Sequence, residues 1–81
     1  MNDTFNRVVK AAASYEHNGR TVIINSLDES FYGDLGLDSL GVVETLMLCE
    51  EEFNIKFTDD EIAKIVRVSD LVNLIDKKLK L

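Results

Sequence analysis

Three side chains in this sequence invite a reading as covalent chemistry: Ser39, Cys49 and His17. Ser39 is the best placed. It follows Gly36-Leu37-Asp38 and opens a helical pattern that runs to Phe53. Its hydroxyl is therefore expected at a helix start, where free N–H groups and the positive end of the dipole favour an anion. Such a serine either attacks a substrate or is itself modified by another enzyme. Attack requires a base within hydrogen-bond reach, a group that orients the base, and an oxyanion hole. The nucleophile elbow reads G-x-S-x-G at a strand-to-helix turn. Here Gly36 stands one position too early and a helix pattern, not a strand–helix junction, surrounds the serine. The only histidine is His17, expected in the last turn of the first helix, where it suits the dipole or the terminal carbonyls. Cys49 lies on an apolar helical face with no base or cation near it in sequence, which reads as a small core residue. One Cys and one His do not make a metal site, and the acids lack EF-hand spacing. No catalytic residue and no metal are expected, so Ser39 is read as a point of attachment.

The elements that must position Ser39 follow from periodicity. A first helix starts at Asp3 or Thr4, with Phe5, Val8, Ala12 and Tyr15 on one face, and ends at Asn18-Gly19. Thr21-Val22-Ile23-Ile24 has strand propensity but no convincing partner, and reads as an extended loop that tucks one or two aliphatic side chains under the helices. Phe31 is a core anchor with Tyr32 beside it. The second helix carries two apolar stripes. Val42, Leu46, Cys49 and Phe53 suit the core; Leu40, Val43 and Met47, bordered by Glu44 and Glu51, read as a docking face. Burial of that second stripe as well, above all at Val43, is the alternative. Thr58-Asp59-Asp60-Glu61 is a capping box for a short third helix with Ile62, Ile65 and Val66. Ser69-Asp70 caps a last helix whose Leu71, Leu74 or Ile75, and Leu79 face inward. The expected fold is all-α: a small four-helix bundle with a long loop between helices 1 and 2 and a short third helix.

Composition narrows the function further. The 81 residues suit one domain, 1–81, too small for a deep enclosed active site. Met1-Asn2-Asp3-Thr4 lacks the blocks of a signal peptide, and no apolar run approaches a membrane span. The expected setting is the cytoplasm, without stable membrane insertion, as a monomer. The net charge of −6 is unevenly spread: residues 28–61 hold eleven acids and one base, Lys56. Such a field argues against nucleic acid and for partners with basic patches.

Phe31-Tyr32-Gly33-Asp34-Leu35-Gly36-Leu37-Asp38-Ser39-Leu40 resembles the signature of the acyl carrier proteins, the phosphopantetheine-bearing carriers. Val43-Glu44, Met47, the run Glu50-Glu51-Glu52-Phe53 with Asn54-Ile55-Lys56-Phe57, and Thr58-Asp59-Asp60-Glu61 match the same family, so the resemblance covers about residues 27–79. It implies that a phosphopantetheinyl transferase, with its own magnesium, moves 4′-phosphopantetheine from coenzyme A onto Ser39, beside Asp38. The terminal thiol then carries acyl groups as thioesters. Leu40, Val43, Glu44, Met47 and Glu51 dock on acyl-transferring, condensing or ligase enzymes of fatty acid, polyketide or related biosynthesis. Gly41 stands where the fatty-acid carriers usually have an acid, and resembles the glycine of D-alanyl and some specialised carriers; Gly33, the Arg20 to Asn25 segment, Thr45 and Cys49 also depart from the usual pattern. The alternatives are a D-alanyl or aminoacyl carrier of the same fold and, more remotely, an unmodified helical interaction module.

Overall fold

The computed structural model describes residues 3–17 and 19–80. Along the chain lie α1 (Asp3–Ala13), β1 (Glu16–His17), β2 (Arg20–Thr21), α2 (Ser39–Phe53), α3 (Asp59–Lys64) and α4 (Val68–Leu79). The all-α expectation holds, with four helices, a long connection between α1 and α2 and a short α3, to which the structure adds a two-stranded antiparallel hairpin.

α1 buries Val8, Ala11 and Ala12, with Phe5 and Val9 half-buried at the rim. Thr4 hydrogen-bonds Asp76 near the far end of α4. Arg7 ties the helix to the C-terminal end of α2: its guanidinium donates to Glu52 Oε2 (2.8 Å) and to the Glu52 carbonyl (2.9 Å), and lies 4.3 Å from the centre of the Phe53 ring. The helix stops five residues before the expected Asn18. Ser14 turns its hydroxyl and its N–H back to the Ala11 carbonyl, and Glu16–His17 then pair with Arg20–Thr21. Gly19, at φ +76°, serves the hairpin turn and not a helix end; Asn18 lies outside the described residues. Tyr15, expected on the buried face, is exposed for the same reason.

The segment after the hairpin shows a period of two. Val22 and Ile24 are buried while Ile23 faces outward, so the extended segment does place two aliphatic chains under the helices. The long connection is held from both ends. Glu29 accepts the N–H groups of Asn25 and Ser26. Leu27, Asp28, Glu29 and Phe31 exchange backbone and guanidinium hydrogen bonds with Val66 to Ser69, at the α3–α4 junction. Phe31 is fully buried as expected, and burying such a ring contributes about 1.5–3 kcal/mol. Tyr32 beside it is exposed.

α2, with 15 residues, is the longest helix. Val42, Leu46, Cys49 and Phe53 enter the core, and Asn54 ends the helix in the left-handed region at φ 56°. α3 starts with the anticipated capping box: Thr58 accepts the Glu61 N–H (3.2 Å) and Glu61 the Thr58 N–H (2.8 Å). It stops at Lys64, leaving Ile65 buried at its C-cap and Val66 exposed outside the helix. α4 starts one residue earlier than its expected Ser69 cap. Asp70 does the capping from inside the first turn, where its carboxylate accepts the N–H groups of Val66 (3.0 Å) and Arg67 (2.9 Å). Val68, Leu71, Val72 and Ile75 form the buried stripe; Leu79, one turn further, runs past the edge of the core and is exposed.

Candidate functional site

Ser39 is the first residue of α2 and is exposed. Asp38 is the N-cap, with extended backbone (φ −94°, ψ −178°), and its Oδ1 accepts the Gly41 N–H at 2.8 Å. That hydrogen bond holds the Asp38 carboxyl below the usual carboxylate range, and the neighbouring His17 lowers it further. The first intrahelical bond runs from the Val42 N–H to the Asp38 carbonyl. The N–H groups of Ser39 and Leu40 precede it and are oriented, like the helix dipole, to favour negative charge beside the serine. Upstream, Gly36 (φ +67°) turns the chain into the helix, and Ser30 and Asp34 lock the preceding turn: the Ser30 hydroxyl accepts the N–H groups of Gly33 and Asp34, and Asp34 accepts the Ser30 N–H.

No hydrogen bond among the described residues engages the Ser39 hydroxyl, and His17 is committed elsewhere. Its Nε2 lies 3.2 Å from Asp38 Oδ1 and its Nδ1 3.0 Å from Glu44 Oε1. A serine without a base is not an activated nucleophile. What the site offers is an exposed hydroxyl at the positive end of a fixed helix, open to a larger enzyme.

Sequence reasoning missed this use of His17. It was expected to serve the end of the first helix; the hairpin instead carries it across to the start of α2, where its side chain is only 13% exposed. Tyr15 joins it, donating to Glu44 Oε2 at 3.1 Å, and that contact pushes the phenol's pKa up. One signal was present. Glycine inside a helix costs about 0.8–1.0 kcal/mol relative to alanine, so an interior glycine marks a close approach. At Gly41 the approach is real: a Cβ there would lie 3.1 Å from His17 Nε2 and 3.1 Å from Leu37 Cδ2.

Of the two apolar stripes on α2, the second stays out of the core. Leu40 and Met47 are more than half exposed and Val43 is 40% exposed, with Glu51 exposed and Glu44 half-buried at their border. The three acids near the helix end differ in their engagements. Glu50 accepts the Phe57 N–H and Glu52 pairs with Arg7, whereas Glu51 has no partner among the described residues. Cys49 is fully buried, and burial, aided by Glu52, pushes its thiol up to about 12. Thr45 is buried too and returns its hydroxyl to the Gly41 carbonyl at 2.9 Å. Among the described residues no helix is long and apolar enough to cross a membrane.

An exposed serine at a helix start on a four-helix scaffold has counterparts among known carrier proteins. The family model described as a phosphopantetheine attachment site matches residues 6–75. The acyl carrier protein of Zymomonas mobilis is 41% identical over 80 residues, covering 95% of this chain and 96% of the relative. That of Rickettsia bellii is 41% identical over 69 residues, covering 85% and 78%. Among solved structures, the crystal structure of an acyl carrier protein from Thermotoga maritima superposes with a TM-score of 0.79 at 31% identity, covering 96% of this chain and 88% of that one. The chain belongs to the acyl carrier protein family, whose cofactor is phosphopantetheine.

Proposed function

We propose that Ser39 is the residue to which 4′-phosphopantetheine is attached. The chain then carries acyl groups as thioesters and presents them to enzymes of fatty acid, polyketide or related biosynthesis. The observation that carries this reading is the exposed, unengaged hydroxyl of Ser39 at the first position of α2, inside the matched family region. When bound, the group supplies a terminal thiol on a mobile arm.

The residues around Ser39 suit the attachment. A phosphopantetheinyl transferase supplies the base and the magnesium. The Ser39 oxygen forms the new bond to phosphorus, the adenosine 3′,5′-bisphosphate portion of coenzyme A leaves, and the serine proton passes to the transferase. Asp38 occupies the Gly41 N–H and leaves those of Ser39 and Leu40 to oppose the phosphodiester charge. Leu40, Val43 and Met47 form the apolar part of the docking face, with Glu44 and Glu51 as its acidic border for basic partners. Electrostatic steering on such a face favours fast, brief encounters. The reading places the chain in the cytoplasm.

Incubation with coenzyme A and a promiscuous transferase, followed by intact mass spectrometry, tests the assignment. Wild type gains one phosphopantetheine and Ser39→Ala none. No adduct on the folded wild type with several transferases overturns it. Gly41, where the fatty-acid carriers usually have an acid, favours a dedicated pathway over general fatty acid synthesis, with a D-alanyl or aminoacyl cargo as the second reading. The mass of the native thioester decides between them.

A further inference from the structure

The hairpin meets α2 at one place. His17 enters the notch left by Gly41, with one ring nitrogen on Asp38 Oδ1 and the other on Glu44 Oε1, while Tyr15 takes the second oxygen of Glu44. One mostly buried imidazole thus bridges the acid before Ser39 and an acid one and a half turns into the helix. A cleft of about 330 Å³ opens beside it, walled by Arg20, Val22, Asn25, Asp34 and Asp38. Arg20 is the hairpin partner of His17 and makes no ion pair among the described residues.

We propose that His17 is a positioning residue for the loading of Ser39, acting through Asp38 and Glu44, with Gly41 as the socket that admits it. The proposal rests on the reading of Ser39 as the attachment point. Two carboxylates on two ring nitrogens match the hydrogen-bonding capacity of the imidazolium, which donates from both. A neutral imidazole donates from one only and turns a lone pair toward the other carboxylate. In its charged form His17 has two effects. It fixes the N-cap carboxylate and with it the first turn that presents Ser39. It also offsets the Asp38 charge next to the point where a phosphodiester must form. In its neutral form both effects weaken. Facing His17 are Asp38 ahead of α2, Glu44 within it, Arg20 across the hairpin, the Tyr15 phenol through Glu44, and Glu29 and Asp34 along the cleft.

The test is the pH profile of loading by one transferase for wild type and His17→Gln, with kcat and KM separated. The ratio of the two proteins removes the enzyme's own pH dependence. Below the interval in which an imidazole changes charge, about pH 5 to 8, wild type is expected to load roughly two- to fivefold more efficiently, mainly through KM. The advantage is expected to disappear above that interval. Parallel profiles for two proteins that both load overturn the proposal and leave Ser39 as the attachment point. Failure of both to load removes the attachment reading and this proposal together. Should His17→Gln not fold, carbon NMR of wild type decides. The side-chain carboxyl signals of Asp38 and Glu44 are expected to move in step with the His17 ring as pH is varied, and signals that ignore the ring overturn the proposal.

Discussion

Val42 and Val43 are adjacent in sequence and identical in chemistry, yet Val42 is 4% exposed and Val43 40% exposed. They sample the two faces of α2. One face, Val42, Leu46, Cys49 and Phe53, packs into the core. The other, Leu40, Val43 and Met47, is just as apolar and stays open. The contrast teaches that apolarity alone does not decide burial in a chain this small. α1 packs along α2, and Phe31, Val22, Ile24 and the buried side chains of α4 complete the core that its inner face enters, so little chain is left for the other face. An open apolar stripe bordered by acids is then free to meet a partner. The acids themselves divide in the same way: the two oxygens of Glu44 are held by Tyr15 and His17, whereas Glu51 has no partner among the described residues.

The sharpest way to break this comparison is Leu46→Ala. Truncating a buried leucine is expected to lower unfolding stability by about 2–5 kcal/mol, measured by urea denaturation. A cost like that of a surface residue would mean the core face is misassigned. Next in size is the reactivity of Cys49. With its thiol pushed up to about 12 and buried, alkylation of the folded chain near neutral pH should be slower than that of the unfolded chain by about a hundredfold or more. Time-resolved mass spectrometry with iodoacetamide reads this directly, and comparable rates would contradict the packing.

Gly41 probes the boundary between the faces. In a His17→Ala background, Gly41→Ala should gain part of the roughly 0.8–1.0 kcal/mol that alanine offers over glycine in a helix, since only Leu37 Cδ2, 3.1 Å from the new Cβ, then has to give. With His17 present the gain should shrink or reverse, because the new Cβ meets the imidazole. Additive effects in the denaturation cycle would remove the contact. Acid stability sharpens the exposed end of the helix. Asp38 and Glu61 are both held low in the folded state, by the Gly41 N–H and by the Thr58 N–H respectively, with Lys78 adding to the second. Their contribution is complete above the unfolded values of about 3.9 and 4.3 and is lost as pH falls through the lower folded values. Asp38→Asn keeps a capping side chain without the charge, so its melting temperature should fall less steeply as pH drops below about 4. The smallest effect on stability is expected for Met47→Ala, within about 0.5 kcal/mol, while its transferase KM rises. A large stability loss there would show that the open face is core after all.

Much of this was legible from residue types and spacing. The Thr58–Glu61 box, the core stripe of α2 and the helix start at Ser39 follow from rules that act within one or two helical turns. The family signature around Ser39 is equally local. The errors have a common cause. Tyr15 and His17 continue a helical pattern, but a four-residue pairing with Arg20–Thr21 removes them from the helix. Strands that short carry no periodicity to read, and whether they pair depends on what the hairpin finds to rest on. Leu79 continues the stripe of α4 faithfully; only the extent of the core shows that nothing remains there to cover it.

The sequence by itself determined where α2 and α3 start, which helix faces are apolar, and that a serine stands at a helix start within the acidic segment 28–61. Local hydrogen-bonding capacity and periodicity suffice for those. Only the tertiary structure decided which of the two apolar faces of α2 is spent on the core. It alone brought His17 to Asp38 and Glu44, 21 and 27 residues away. Those outcomes depend on how much covering surface a short chain can supply and on a glycine notch that has meaning only when a distant side chain fills it.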